Sequence, residues 1–406
     1  MIFVVQLIMK KLKVVLIVVF LLLISLAVFL KTRPPSADNP LSSYPKCPGD
    51  LAGILTVPLI ELKHITSITP LGNLNPPGHT SPVDHNYFSV DTDNKVPVYA
   101  PADGWITDLV VILAKDEKTS KYVDRWITLD IEICQGLKLT LANLTEASSI
   151  LKDNWPKNDN GCKYGINKSG HDFTEGQCYY HSNIKVRAGD FLGYTQNEIN
   201  KDGTKSFGFE IWAANYNQSP PANIDWSFYD DDRYAHIMCT FDLYTGSLKK
   251  QFYDKLGTVD SKFTDSSFIK RTIEPICGTV NQNIVGTIQG MWFGEGWKNR
   301  KDKNNPEDSR QFSFLHWNID PTYAEIGNAG EISNGQPDQV TFLPNHSGTI
   351  DREPSEVKAD NKIYCYNFRD GKILTQLVDD RHLRLEYQSG FCERSETFKK
   401  YFNYER

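Results

Sequence analysis

Short runs of β-branched and aromatic residues, separated by Gly, Pro, Asn and Asp, extend over the chain from about residue 51. Such runs are typical of β-strands, and the residues between them are typical of turns. The pattern therefore predicts a mainly β protein. The predicted strands lie within "VPVYAPADGWITDLVVIL", "RWITLDIEI", "LKLTLANL", "SFGFEIWAAN", "GTIQGMWFGEG", "RQFSFLHWNID", "QVTFLPNHSGTI", "KIYCYNF", "KILTQLV" and "RHLRLEYQSGF", and the longest predicted helices within "TEASSILKDNW" and "CTFDLYTGSLKKQFYDKLG".

A chain of 406 residues exceeds one hydrophobic core, so we expect two folded domains. The sequence turns polar between about Lys255 and Lys270, and short strands resume after that point. We predict a first β domain over 51–255 and a second, a β barrel or sandwich, over 256–406. Trp and Phe residues of the second domain alternate with polar ones, which favours core positions over a binding face.

The N-terminus carries "VVLIVVFLLLISLAVFL", from Val14 to Leu30, in which Ser25 is the one polar residue. This length is the lower limit for a helix that spans a bilayer. No clear small-x-small cleavage site follows, which favours a retained anchor over 14–31 rather than a cleaved signal peptide or a core helix. Lysines in 1–13 favour a cytoplasmic N-terminus. A Pro/Ser-rich tether over 32–50 would then hold the remainder outside the cytoplasm.

Eight cysteines follow the predicted anchor, and an even number outside a reducing cytosol indicates disulfides. No two of them form a CxxC motif, which argues against a zinc ribbon. The sequence leaves the connectivity open. Two pairs would close local loops, namely Cys162 with Cys178 and Cys365 with Cys392.

Several motifs occur in a characteristic order between Pro76 and Ala213. They are "PPGHTSPVDHNYF", "VPVYAPADGWI", "LKLTLANL", "VRAGDFLGYT" and "SFGFEIWA". This order resembles the lysostaphin-type or LytM-like zinc endopeptidases, whose active members cut peptide cross-links of bacterial cell walls. The resemblance implies a LytM-like β-sheet domain over 51–255, and it covers about a third of the chain.

The resemblance also implies where a zinc site would lie. His79 and Asp84 match the first two zinc ligands of the family, although their separation is one residue longer than usual. An "HxHFEI"-like strand places Ser206 and Gly208 where the family has histidines, and a "YxHL"-like strand places Asn143 at another such position. A catalytic zinc needs three protein ligands and an open fourth position. We therefore expect a degenerate site with no catalytic residues and no cofactor.

A rearranged metal site is the alternative. His79, Asp84 and His85 would be its ligands, with His181 as a further candidate, and zinc its metal. Adjacent side chains of a strand point to opposite faces, so Asp84 and His85 share a metal only if the backbone bends there. The other interpretation of His79 and His85 is that their hydrogen bonds fix the "PPGH" loop.

The net charge of −6 excludes the basic excess that nucleic-acid binding requires. Our leading prediction is a membrane-anchored extracytoplasmic protein that binds a peptide, glycan or protein of the cell envelope without catalysis. The first alternative is an active zinc endopeptidase or peptidoglycan hydrolase with the rearranged site. The second is a structural surface protein that interacts through its C-terminal β domain.

Overall fold

A computed structural model describes residues 44–406, except 77–78, 91–94, 116–121, 155–161, 167–174, 197, 200–204, 207, 223, 230–231, 260–267, 298–309 and 334. The predicted N-terminal segment 1–13, the predicted anchor 14–31 and most of the tether lie outside these residues. Among the residues that are described, no helix has the length and apolar character needed to cross a bilayer.

The fold is mainly β, as the sequence predicts. Fourteen strands are described before residue 256. They are β1 Ile65–Thr69, β2 Asn86–Val90, β3 Val96–Tyr99, β4 Gly104–Lys115, β5 Tyr122–Cys134, β6 Leu137–Leu144, β7 Glu146–Ala147, β8 Cys162–Ile166, β9 Glu175–Val186, β10 Phe191–Thr195, β11 Glu198–Ile199, β12 Lys205–Ser206, β13 Phe209–Asn215 and β14 Ile237–Met238.

Nine of these strands form one antiparallel sheet in the order β1-β2-β13-β6-β5-β4-β9-β8, with β14 paired to β13. A second, three-stranded sheet has the order β3-β10-β7, and β11 pairs with β12. One face of the large sheet covers the hydrophobic core. In β6, for example, Leu137, Leu139 and Leu141 enter this core while Lys138 and Thr140 point to the opposite face.

The C-terminal part contains ten described strands. They are β15 Gly257–Val259, β16 Phe268–Lys270, β17 Gly290–Gly294, β18 Gln311–His316, β19 Ala324–Asn328, β20 Asp338–Phe342, β21 Tyr364–Phe368, β22 Gly371–Asp379, β23 His382–Ser389 and β24 Phe402–Glu405. β15 and β16 form a two-stranded ribbon, and the other eight form a nearly closed, barrel-like antiparallel sheet in the order β20-β19-β18-β17-β24-β23-β22-β21.

Aromatic side chains fill the inside of this eight-stranded sheet. Trp292, Phe312, Phe314 and Tyr366 are completely buried, and the rings of Phe312 and Phe314 lie 5.0 Å apart. Burial of side chains this large contributes much of the hydrophobic stabilisation of a core. The expectation that the aromatic residues of the C-terminal strands form a core is confirmed for these four. Residues Cys47–Arg406 together form one compact unit.

The helices are shorter than the sequence predicts. The first predicted helix begins late, because Glu146–Ala147 pairs as β7 and only Ser149–Asp153 forms a helix, α1. The second is split into a 3₁₀ helix over Thr240–Leu243 and α2 over Gly246–Tyr253. The backbone is extended at the residues between them, where the buried Tyr244 donates a hydrogen bond to the carbonyl of Val57.

All eight cysteines form disulfides. The two predicted local loops, Cys162–Cys178 and Cys365–Cys392, are confirmed. Two longer connections, Cys47–Cys134 and Cys239–Cys277, complete the set. Stable disulfides form in oxidising compartments, so the four pairs indicate an extracytoplasmic environment.

Candidate functional site

The candidate site lies on the face of the nine-stranded sheet that points away from the core. On β13, Glu210 pairs with Tyr87 of β2 on one side and with Ala142 of β6 on the other. Directly paired residues point to the same face, as do residues two apart in one strand. Glu210, Tyr87, Trp212 and Thr140 therefore share one face, which we call the polar face; it continues to Asp130 of β5 and Asp108 of β4.

Asp84 and His85 lie in a bend immediately before β2. Because the chain bends there, the two adjacent side chains meet, and His85 Nδ1 lies 2.7 Å from Asp84 Oδ1. The other carboxylate oxygen, Asp84 Oδ2, lies 3.2 Å from Nε of Arg233, which belongs to a 3₁₀ helix over Asp232–His236. Both oxygens of Asp84 thus interact with groups of the protein itself.

Burial and neighbouring charges shift the pKa of Asp84 in opposite directions. Its side chain is only 5% exposed, and burial alone would raise its pKa. The hydrogen bond with His85 and the charges of His85 and Arg233 outweigh burial, so the pKa of Asp84 lies below its ordinary value. Asp84 is therefore a carboxylate at neutral pH.

For Tyr87, burial and the neighbouring charges both raise the pKa. Burial raises the pKa of its hydroxyl far above the usual range, and the negative charges of Glu210 and Asp84 raise it further. The phenol consequently stays neutral. It presents a hydroxyl group, rather than a third anion, beside the carboxylates of Asp84 and Glu210.

His85 is surrounded by aromatic rings. Its ring centroid lies 4.7 Å from that of Tyr87, 4.9 Å from Trp212 and 5.6 Å from His79. The guanidinium of Arg233 lies 4.7 Å from the Trp212 ring, within the range of a cation–π interaction. The site is therefore a packed cluster of rings and charges at one end of the polar face.

Like Asp84 Oδ2 and Trp212 Nε1, the Nε2 atom of His85 is buried and lacks a hydrogen bond within the described part of the chain. Glu210 Oε2 lies 3.6 Å away, beyond hydrogen-bond distance. A further polar atom in the gap between these two atoms would lie close to both of them.

Hydrogen bonds continue across the polar face toward its other end. Thr140 Oγ1 donates to Asp130 Oδ1 at 2.6 Å, and Lys138 Nζ lies 3.4 Å from Asp130 and 3.8 Å from Asp108. Asp108 in turn lies 2.6 Å from Nδ1 of the exposed His181. His181 is therefore separated from His85 by the width of four intervening strands, β13, β6, β5 and β4, and does not join His79, Asp84 and His85.

The three positions that the family resemblance assigns to histidines differ in their surroundings. The carbonyl oxygens of Asn143 and Gly208 both accept hydrogen bonds from the buried hydroxyl of Thr195, at 3.2 and 2.9 Å. Asn143 has a φ of 65°, a left-handed conformation that Asn tolerates better than most residues. Ser206 lies in β12, opposite Glu198, and its side chain lies outside the described part.

The zinc ligands that the family resemblance implies do not fit this arrangement. Asp84 is bound by His85 and Arg233, Gly208 has no side chain, and Asn143 replaces an imidazole. Among the described residues, no group of three His, Cys, Asp or Glu side chains is placed to hold a metal ion. His79 contributes its backbone to the loop, since its N–H and C=O exchange hydrogen bonds with Asn75.

Sequence reasoning missed four residues of the cluster, Tyr87, Glu210, Trp212 and Arg233. The alternation in "FEIW" places Glu210 and Trp212 on one face, so this signal was present in the sequence. No protein-family model matches the chain, and no curated protein shows significant sequence similarity to it.

Proposed function

We propose that this chain is a membrane-anchored, extracytoplasmic protein of LytM-like fold that binds a peptide, glycan or protein of the cell envelope and does not hydrolyse it. The ion pair between Asp84 and Arg233 carries the proposal. The buried carboxylate of Asp84 loses the half-buried guanidinium of Arg233 as its partner if it coordinates a metal, and separating such a pair is costly.

The polar face provides the binding surface. Its central side chains, Asp130, Lys138 and Asp108, are each between 26% and 29% exposed, so a ligand can reach them. They present both donors and acceptors, as a peptide or a glycan requires. The hydrogen bond from Lys138 to Asp130 and the ion pair between Lys138 and Asp108 hold these side chains in place before a ligand arrives, which lowers the entropic cost of binding.

A second candidate function, hydrolysis through a rearranged metal site, is favoured by the gap beside His85 Nε2. Two ligands of one tetrahedral zinc, each about 2.0–2.2 Å from it, lie roughly 3.4 Å apart. The distance of 3.6 Å between His85 Nε2 and Glu210 Oε2 is close to this value. Two ligands fall short of the three that catalytic zinc requires, so we rank this candidate second.

One experiment separates the two functions. The full chain is purified, dialysed against a weak chelator, and assayed both for zinc and for cosedimentation with cell-wall material. We expect cosedimentation without stoichiometric zinc, loss of cosedimentation in Asp130→Ala, and normal behaviour of Asp370→Ala in the exposed turn between β21 and β22. Stoichiometric zinc that disappears in His85→Gln contradicts the proposal and supports the metal site instead, whereas no cosedimentation of the wild type removes the binding function.

A further inference from the structure

A cleft of about 470 Å³ lies between the loop that follows β13 and the C-terminal sheet. One wall is formed by residues of 222–229, including Trp226, Phe228 and Tyr229. The other is formed by Phe293 of β17, the turn Asp380–Arg381 and the C-terminal Arg406. Its volume lies in the range of about 300–1,000 Å³ that is typical of small-molecule sites.

Aromatic rings that support one another line this cleft. Phe228 stacks on Phe293 with centroids 5.0 Å apart and an interplanar angle of 8°, and Tyr229 meets Phe293 edge-on at 5.5 Å. Trp226 lies 5.2 Å from Tyr229. Trp226 is itself fixed, because its indole N–H donates to the carbonyl of Pro221 at 3.0 Å. The aromatic lining is therefore formed before any ligand binds.

The charges around the cleft balance. Arg381 Nη2 lies 2.8 Å from Asp225 Oδ2, so these two side chains neutralise each other. The guanidinium of Arg406 lies over the Trp292 ring and donates to the carbonyls of Gln289, Ile284, Thr287 and Asp380. Together with the exposed carboxylate of Asp380, the side chains that line the cleft include two cations and two anions. This balance favours a neutral ligand over an anionic one.

The hydrogen-bonding groups indicate the chemistry of that ligand. An ionised carboxylate such as Asp380 can only accept hydrogen bonds, so its partner must donate. The Trp226 N–H is already used by Pro221, so it cannot donate to the carbonyl groups by which proline-rich peptides are recognised. Saccharide hydroxyl groups are neutral donors, and the C–H faces of a sugar ring, with their partial positive charge, suit the negative faces of aromatic rings.

We infer that this cleft binds a neutral saccharide, with Trp226 as the aromatic contact and Asp380 as the hydroxyl acceptor. The proposed function already includes a glycan among its ligands, and this inference adds a second, separate site for one, since the cleft shares no residue with the polar face. It assigns a ligand class to a surface built by both halves of the chain.

Titration calorimetry of the full chain with cellotetraose, maltotetraose and chitotetraose tests this inference. We expect at least one tetrasaccharide to bind, with affinity about thirtyfold weaker in Trp226→Ala and about fivefold weaker in Asp380→Asn. Trp105→Ala, a half-buried tryptophan of β4, is the matched control and should bind as the wild type does. Unfolding curves of each variant establish that it is folded.

Three results would overturn the inference. They are the absence of binding for all three tetrasaccharides, unchanged binding in a folded Trp226→Ala variant, and preferential binding of a polyproline peptide at the same site. The polar-face variant Asp130→Ala keeps the two proposals apart. It should retain tetrasaccharide binding even where it loses cosedimentation with cell-wall material.

Discussion

Asp84 and His85 are neighbours in sequence, and their side chains nevertheless face each other, with Asp84 Oδ1 2.7 Å from His85 Nδ1. The bend before β2 makes this contact possible. Arg233 then approaches Asp84 from the opposite side. A residue that the family resemblance assigns to zinc thus contacts an imidazole with one carboxylate oxygen and forms an ion pair with a guanidinium through the other.

The first prediction concerns the carboxylate of Asp84. Asp84→Asn should lower the free energy of unfolding by about 3 kcal/mol, because removal of one member of a buried ion pair leaves the other charge unpaired. We place the value at the lower end of the usual range because Arg233 remains 24% exposed. Urea unfolding at neutral pH measures it.

Asp108→Asn is the matched control for Asp84→Asn. Asp108 also lies next to a histidine, but that histidine, His181, has a side chain that is 97% exposed. Exposed ion pairs contribute about 0–1 kcal/mol, so this variant should lose less than about 1 kcal/mol. Equal losses in the two variants would contradict the view that burial makes the Asp84 contacts important.

A second prediction concerns the acid stability of the C-terminal sheet. Glu353 is buried beside His316, with His316 Nε2 3.0 Å from Glu353 Oε1, and Ser355 also donates to it. Burial alone would raise the pKa of Glu353, but the hydrogen bonds and charge of these partners lower it to about 2. The native state therefore binds fewer protons than the unfolded state between pH 4.5 and about 2.

This difference in bound protons determines how the stability changes with pH. The contribution of Glu353 is fully present above about pH 4.5 and disappears as the pH falls toward 2. Glu353→Gln should be less stable at pH 7 by about 3 kcal/mol and should lose less stability on acidification than the wild type. Unfolding curves from pH 7 to pH 2 test this, with the exposed Glu393→Gln as control. Parallel pH profiles of wild type and Glu353→Gln would refute it.

The third prediction concerns the disulfides. Cys47–Cys134 spans 87 residues and Cys162–Cys178 spans 16. In the chain-entropy account, the longer loop restricts the unfolded chain more, about 4.6 kcal/mol against about 3 kcal/mol. Replacing both cysteines of the long pair by serine should therefore destabilise the protein by about 1.5 kcal/mol more than the same change in the short pair. A larger loss in the short pair would contradict this account.

Local patterns explain which parts of the fold could be predicted. β6, Leu137–Leu144, coincides with its predicted run because its leucines alternate with polar residues, and that alternation is a property of the segment alone. The two short disulfide loops could also be predicted, because each joins cysteines that are close in sequence. The division of the second predicted helix could not be predicted from local sequence. The extended conformation at Tyr244 and Thr245 accompanies the burial of Tyr244 against residues far away in sequence.

The candidate site, too, could be predicted only where its residues lie close together in sequence. His79, Asp84 and His85 were found because they lie close together in sequence and within a familiar order of motifs. The sequence did not indicate that Arg233 belongs to the site, because a 3₁₀ helix far along the chain brings it to Asp84. The contact that decides what Asp84 can do was therefore the one that the sequence could not indicate.

The last prediction tests whether Arg233 is what keeps Asp84 from a metal. Gly208→His places an imidazole at a position that the family resemblance assigns to a zinc ligand. We expect this single variant to bind zinc weakly, because Asp84 stays paired with Arg233. Adding Arg233→Ala releases the carboxylate, and the double variant should bind zinc at least about tenfold more tightly.

Competition with a chromophoric chelator measures both affinities. Gly208→His combined with Lys138→Ala is the control, since Lys138 is another cation of the polar face that does not contact Asp84 in the described structure. Equal zinc affinities for Gly208→His and Gly208→His/Arg233→Ala would mean that the ion pair does not restrain Asp84. In that case the missing imidazoles alone would account for the loss of the family's zinc site, and the Asp84–Arg233 pair would be a consequence of that loss rather than a barrier to its reversal.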